Sequence, residues 1–383
     1  MERRAYLRSL SVAGLAGVGG CLRSAGSEPV TTTDRPRFRI ETVTMKLAVP
    51  WGVAFGPDGG LYLTERAGRV QRVATDADRT EAVADRTDRV TARGDAGLLG
   101  LAFHPEDPDL AYTYQTYRGD AGLTNRVVCH RVSEGFARES VVLDGIPGGR
   151  VHNGGRIATS PDGALYVATG DAGDPERAGD RDSLAGTVLR LTADGASHPD
   201  NPFGGAVFTY GHRNPQGFAW RDGTLFGTDS GARAATGASD AEEPASDATD
   251  RAASNVADEV NDLRAGRDYG WPRARGPTGK SADPLVAYAS TLGLGGAAVY
   301  RGPIDDWRGD LFVAALADTH LRRIRVEDGG VTQQERLLDG KYGRLRTVFT
   351  GPEGHLYVTT SNRDGRDDAA APQDDRVLRI RPA

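Results

Sequence analysis

Six copies of one turn-and-strand phrase, an excess of glycine and no long helical period predict an all-β chain folded as a six-bladed β-propeller. The phrase is a turn carrying Pro, Asp or Gly, followed by an apolar-aromatic strand. Three copies are clear: Pro57-Asp58-Gly59-Gly60-Leu61-Tyr62-Leu63, Pro161-Asp162-Gly163-Ala164-Leu165-Tyr166-Val167 and Pro352-Glu353-Gly354-His355-Leu356-Tyr357-Val358. Three are weaker: Pro105 to Tyr112, Arg221 to Phe226 and Arg308 to Val313. Asp-Gly or Glu-Gly between alternating apolar positions marks a hairpin, because its turn needs positive φ. The 51 glycines in 383 residues are nearly twice the usual share of roughly 7%, which suits many tight turns.

Further strands follow most copies, such as Gly68 to Val73 and Thr187 to Leu191. The C-terminal Arg376 to Ile380 is placed to close the ring with Phe38 to Val43. Residues 39–383 therefore read as one propeller domain. A segment at about 232–257, rich in Ala, Ser, Asp and Glu with no apolar period, reads as a disordered acidic insertion on one connection.

Ahead of the propeller lies a targeting segment. Arg3-Arg4-Ala5-Tyr6-Leu7 is a twin-arginine pattern, followed by the apolar, glycine-rich run Leu10 to Gly20. Val18-Gly19-Gly20-Cys21 resembles a lipobox, so residues 1–21 read as a leader with Cys21 as the lipid acceptor, and 22–38 as a flexible tether. The expected location is extracytoplasmic, with the membrane reached through a lipid anchor only. Cys129, in the strand-like Arg126-Val127-Val128-Cys129, reads as buried packing, and no redox or metal-binding cysteine motif is present.

A formal net charge of −6 argues against a nucleic-acid-binding surface. The basic residues are lopsided: Lys46, Lys280 and Lys341 are the only lysines among 47, which reads as adaptation to high salt or a GC-rich genome.

Chemistry concentrates between His152 and Gly217. His152-Asn153-Gly154-Gly155-Arg156 and Gly211-His212-Arg213-Asn214-Pro215-Gln216-Gly217 set His, Arg and Asn among glycines at strand edges. Histidine supplies a base near neutral pH, and glycine lets backbone and ligand approach closely. Asp171, in Thr169-Gly170-Asp171, ends the next strand, where a hairpin could bring it beside the imidazole to fix its tautomer. Arg213 and Asn214 could contact a cofactor or polarise a substrate oxygen. The plainer alternatives are a turn-capping histidine and a surface-paired arginine. His104 reads as a turn cap, and Asp258-Glu259-Val260-Asn261 as a brace for the site loop or a structural calcium site.

Five strings occur in the order of a known family: Gly97 to Pro105, the His152 motif, Gly211 to Gly217, Asp258 to Asn261, and Tyr269-Gly270-Trp271-Pro272. Over about residues 41–381 the chain resembles the soluble quinoprotein glucose and aldose-sugar dehydrogenases, the glucose/sorbosone dehydrogenase family. The resemblance implies a six-bladed propeller that binds pyrroloquinoline quinone (PQQ) and calcium. It implies oxidation of an aldose at C1, with hydride to the quinone, a lactone product and electrons passed to a respiratory acceptor or small redox carrier. In that frame His152 is the base, Asp171 orients it and Arg213 polarises the quinone carbonyl. Asn214, Arg344 and Arg346 contact the cofactor, the two arginines at its carboxylates, and main-chain carbonyls of Gly231 and Ala232 hold calcium.

Departures from the pattern fall in the cofactor seat. Asp229-Ser230-Gly231-Ala232 replaces the usual calcium loop, Ala317 stands where many members have a lysine, and Gly293-Leu294-Gly295-Gly296 replaces Ala-Pro-Ser-Gly. Val151 and Asp95 stand where some members place polar sugar contacts. Two alternatives stay open: a calcium-dependent lactonase, and a non-catalytic propeller that binds carbohydrate or protein.

Overall fold

The computed structural model describes residues 38–74, 80–137, 139–231, 258–273, 281–366 and 370–383. The leader with Cys21, the tether up to residue 37 and the insertion at 232–257 lie outside the described residues. Within them the chain forms six four-stranded antiparallel sheets, the blades of a propeller. Each blade runs from an inner strand a to an outer strand d. The inner strands are Pro50–Phe55, Leu98–Phe103, Ile157–Thr159, Pro215–Arg221, Leu294–Val299 and Leu345–Thr350, and define blades 1 to 6.

All six copies of the sequence phrase fall on the same element, the turn from strand a to strand b. Left-handed glycines occupy five of these turns, at Gly59, Gly163, Gly223, Gly309 and Gly354. Six repeats therefore make six blades, one turn each. Blade 6 closes the ring: its outer strand is Phe38–Thr44, paired antiparallel with Val377–Pro382.

Burial explains the composition of the strands. Stacked blades cover both faces of the strands behind the inner ones as well, so the b strands Leu61–Glu65 and Leu165–Ala168 are buried at every position. The outer strand Thr80–Asp85 is mostly exposed and carries charge. The core lies between neighbouring blades; Tyr112, Val127, Leu165 and Leu189 pack together across blades 2 and 3. Cys129 belongs to that cluster, as its strand context predicts.

Glycine has a second use near the axis. A Cβ at Gly100 would overlap the Gly155 carbonyl of the next blade, and one at Gly295 would overlap the Arg346 carbonyl. The inner strands converge so closely there that only a bare backbone fits.

Strand direction sorts the connections. The short a–b turns all lie on one face, so the d–a and b–c connections lie on the other. His152, Asp171, Arg213, Gly231, Arg344 and Asp364 all sit on d–a or b–c connections of that second face, and Trp271 lies on the long c–d connection of blade 4, whose segment 266–271 is hydrogen-bonded to 208–211. The candidate site is thus a property of one end of the ring.

Candidate active site

His152 lies in the connection between blades 2 and 3 with φ of 53°, followed by left-handed Gly154 and Gly155. A non-glycine residue in that region is strained, and surrounding hydrogen bonds must hold it. They come from behind. The Asn153 side chain accepts from Gly149 N at 3.0 Å and Asn125 Nδ2 at 3.1 Å, and donates to Gly149 O at 2.8 Å. The Tyr114 hydroxyl donates to Asn153 O at 2.9 Å.

His152 Nδ1 stands 2.8 Å from Asp171 Oδ1. A carboxylate there fixes the proton on Nδ1, so Nε2 presents a lone pair to the open side. Asp171 is fully buried. Burial alone would push its carboxyl up, but His152, Arg213 and the Gly173 N–H hold it below the ordinary range. It is therefore an ionised orienting group. Asp171 N also donates to Arg213 O at 2.9 Å, tying the two loops together.

The Arg213 guanidinium reaches Gly231 O at 2.9 Å and Ser230 O at 3.2 Å through Nη1, while its buried Nε has no partner. Asn214 Oδ1 accepts from Gly154 N at 3.1 Å and Gln216 Nε2 at 3.0 Å, which braces the histidine loop against blade 4. His212, by contrast, is a core group: both ring nitrogens are taken, by Asp229 and Thr209, and Tyr269 stacks on the ring.

Blade 6 contributes Arg344 and Arg346. Arg344 pairs with buried Asp364 at 3.0 Å, with its Nε unpartnered. Arg346 is 8% exposed, and no hydrogen bond to its guanidinium is found among the described residues. Burial, with Arg344 and Arg366 nearby, pulls it down to about 10 against the opposing pull of Asp364 and Asp95. Trp51 lies beneath it, 5.7 Å from the guanidinium carbon, and under Arg156 at 4.5 Å. Arg156 is also held down, to about 9, by burial and by Arg346. Asp95 bridges the two halves of the site: it accepts from His152 N at 3.4 Å and pairs with Arg366 at 2.6 Å.

Buried guanidinium N–H groups left without an acceptor are costly unless a ligand completes them. The unpartnered Nε atoms of Arg213, Arg344 and Arg346 fit a ligand with several carboxylates or carbonyl oxygens. Calcium fits less well. The Gly231 carbonyl already faces the Arg213 cation, and Ala232 lies outside the described residues. No group of three or more His, Cys, Asp or Glu side chains is arranged to hold a metal among the described residues.

The brace read at 258–261 has a clear geometry. Asp258 accepts from Gly231 N at 2.5 Å, Leu292 N at 2.5 Å and Gly293 N at 2.7 Å, joining the 231 loop to the blade 5 entry. Glu259 beside it is pushed up from 4.5 to about 7 by burial and by Asp229. A carboxyl raised in the folded state adds stability that is full below pH 4.5 and lost as pH rises through about 7. Glu259→Gln is therefore expected to match the wild type at pH 4 and to exceed it at pH 8 by on the order of 2 kcal/mol. Thermal melts at the two pH values test this; equal melting points at pH 8 would refute it.

Sequence reading missed Trp271, Asp364 and Trp51 as site residues. Trp271 Nε1 donates to Asp171 Oδ2 at 2.9 Å from 100 residues away, and nothing local announces such a contact. The departures at Ala317 and at Gly293 turn out to adjoin: a Cβ on Gly293 would lie 3.2 Å from the Ala317 Cβ. Two apparently independent changes are one small-residue contact.

Comparison with known proteins gives the family and the fold. A family model described as glucose/sorbosone dehydrogenase matches residues 47–369. An oxidoreductase of Thermus thermophilus proposed to be a glucose dehydrogenase is 41% identical, with TM-score 0.77 over 90% of this chain and 99% of that one. The PQQ-bound aldose sugar dehydrogenase of Streptomyces coelicolor is 34% identical, with TM-score 0.76 over 90% and 99%. The aldose sugar dehydrogenase of Escherichia coli is 29% identical over 90% of this chain and 94% of its own.

Proposed function

The chain belongs to the glucose/sorbosone dehydrogenase family, and from that membership we propose that it is a PQQ-dependent dehydrogenase oxidising aldose sugars at C1 to lactones. The observation that carries the reading is the His152–Asp171 pair at 2.8 Å, on the same face of the ring as three arginines whose buried Nε atoms have no hydrogen-bond partner.

When bound, PQQ would supply the acceptor for the hydride, which carries both electrons of the oxidation and which no side chain can accept. The residues of the chain do the rest. His152 Nε2 takes the proton of the anomeric hydroxyl as hydride leaves C1. Asp171 keeps the imidazole in the tautomer that can accept it and stabilises the charge that forms on the ring. Arg344 and Arg346 hold carboxylates, and Arg213 places positive charge where an oxyanion develops. Main-chain carbonyls of Gly231 and of Ala232, the latter outside the described residues, would hold calcium. Electrons leave to a respiratory acceptor or a small redox carrier.

The test is PQQ titration of the apo-protein, with calcium and then with a chelator, followed by addition of glucose and other aldoses. Stoichiometric binding and bleaching of the quinone absorbance by a sugar are expected. No binding at micromolar PQQ would sink the proposal and leave the Ala317–Gly293 contact as the mark of a lost cofactor seat.

A further inference from the structure

Asp171 has two oxygens, and only one is explained by the histidine. Oδ1 accepts from His152 Nδ1 and from Gly173 N, each at 2.8 Å. Oδ2 accepts from the indole Nε1 of Trp271 at 2.9 Å, the one donor to that oxygen among the described residues. Both partners are buried, with Trp271 6% exposed. The other face of the site uses the same indole: the Arg213 guanidinium carbon lies 5.6 Å from its ring centroid. We propose that Trp271 is a positioning residue that clamps the Asp171 carboxylate against His152 and supplies the surface on which Arg213 lies.

The backbone around Trp271 is built for that task. Trp271 N donates to Gly211 O at 3.0 Å and Tyr269 N to Tyr210 O at 2.9 Å, while the Asp268 carboxylate accepts from Gly270 N at 2.8 Å. The segment 268–271 is thus fastened to 210–211, two residues ahead of Arg213, and Arg213 O in turn accepts from Asp171 N. One indole therefore meets both the orienting acid and the polarising arginine, whose backbones are already joined. Packing alone does not require this. A buried indole N–H needs an acceptor, but pairing it with the second oxygen of a buried carboxylate prevents that carboxylate from rotating away from the imidazole. Without the donor, Oδ2 would be left unsatisfied or would recruit water, and the imidazole would lose its fixed partner.

Trp271→Phe removes the N–H and keeps a ring for Arg213. Resting on the dehydrogenase reading, the expected result is a kcat about tenfold lower, with KM and PQQ affinity within about twofold of wild type. In the Asp171→Asn background the same change is expected to cost nothing further, because both act through one carboxylate. A residue that only packs would lower kcat by the same factor in both backgrounds, and that result would overturn the proposal. A second measurement needs no turnover. The four tryptophan indole N–H resonances of the apo-protein are assigned by single Phe substitutions of Trp51, Trp220 and Trp307. The remaining one, from Trp271, is expected downfield, slow to exchange and shifted by Asp171→Asn. An indole resonance indifferent to Asp171→Asn overturns the clamp; a responsive one in a protein that oxidises no sugar upholds it while the dehydrogenase reading fails.

Discussion

His152→Ala is expected to lower sugar-dependent dye reduction by about a thousandfold while leaving PQQ binding intact. The expectation follows from the separation of the two jobs in the structure. His152 meets Asp171, the Asp95 carboxylate and its own loop, whereas the unpartnered guanidinium atoms belong to Arg213, Arg344 and Arg346. Deleting the imidazole removes the proposed base without touching the arginines proposed to hold an anionic cofactor. Steady-state kinetics with a dye acceptor, beside a PQQ titration of the same variant, decide the matter. Loss of PQQ binding in step with activity would mean that His152 holds the cofactor, and its role as base would have to be withdrawn.

Arg346→Met should separate stability from binding, in opposite directions. Arg346 is buried, held down to about 10 by that burial, and has no hydrogen-bond partner among the described residues. In the apo-protein it is a charge removed from water with only the Trp51 ring, Asp364 and Asp95 to offset the loss. Replacing such a cation with an apolar side chain of similar length is expected to raise apo stability by roughly 1–3 kcal/mol. The same change removes a guanidinium proposed to hold a cofactor carboxylate, so PQQ affinity should fall by about a hundredfold, as loss of a charge-assisted contact does. Denaturant melts of the apo-protein and PQQ titrations are the two measurements. An apo-protein destabilised by Arg346→Met would show that the arginine holds the ring together and is not waiting for an anion.

The fold was open to reading because its signal is local and repeated. A turn such as Asp162-Gly163 needs left-handed backbone whatever surrounds it, and the same phrase recurs at the same place in every blade. Closure between the strand at Phe38 and the one at Val377 could be placed for the same reason, since two unpaired strands were left over. Part of the site was visible as well: His152 and Asp171 flank the two open ends of one hairpin, Ile157–Thr159 with Leu165–Ala168. The rest depends on side chains meeting across the ring. Trp271 reaches Asp171 over 100 positions, and Thr347 of blade 6 meets Arg156 of blade 3 over 191. No periodicity encodes such meetings. The acidic brace shows the intermediate case: four consecutive letters suggested a role, but only the structure shows Asp258 holding three backbone N–H groups.

The seam in blade 6 also fixes the order in which this protein can mature. Phe38–Thr44 is made first among the described strands and finds its partner only when Val377–Pro382, the last, has been synthesised. A growing chain on the ribosome can stack blades 1 to 5, but it cannot complete the circle. Arg344 and Arg346 flank the first residue of the inner strand of that same late blade. The three arginines thus stand in one ring only once blade 6 has been added to blades 1 to 5. A chain cut before residue 344 would still carry His152, Asp171 and Arg213, yet would lack two of the three arginines proposed to hold the cofactor.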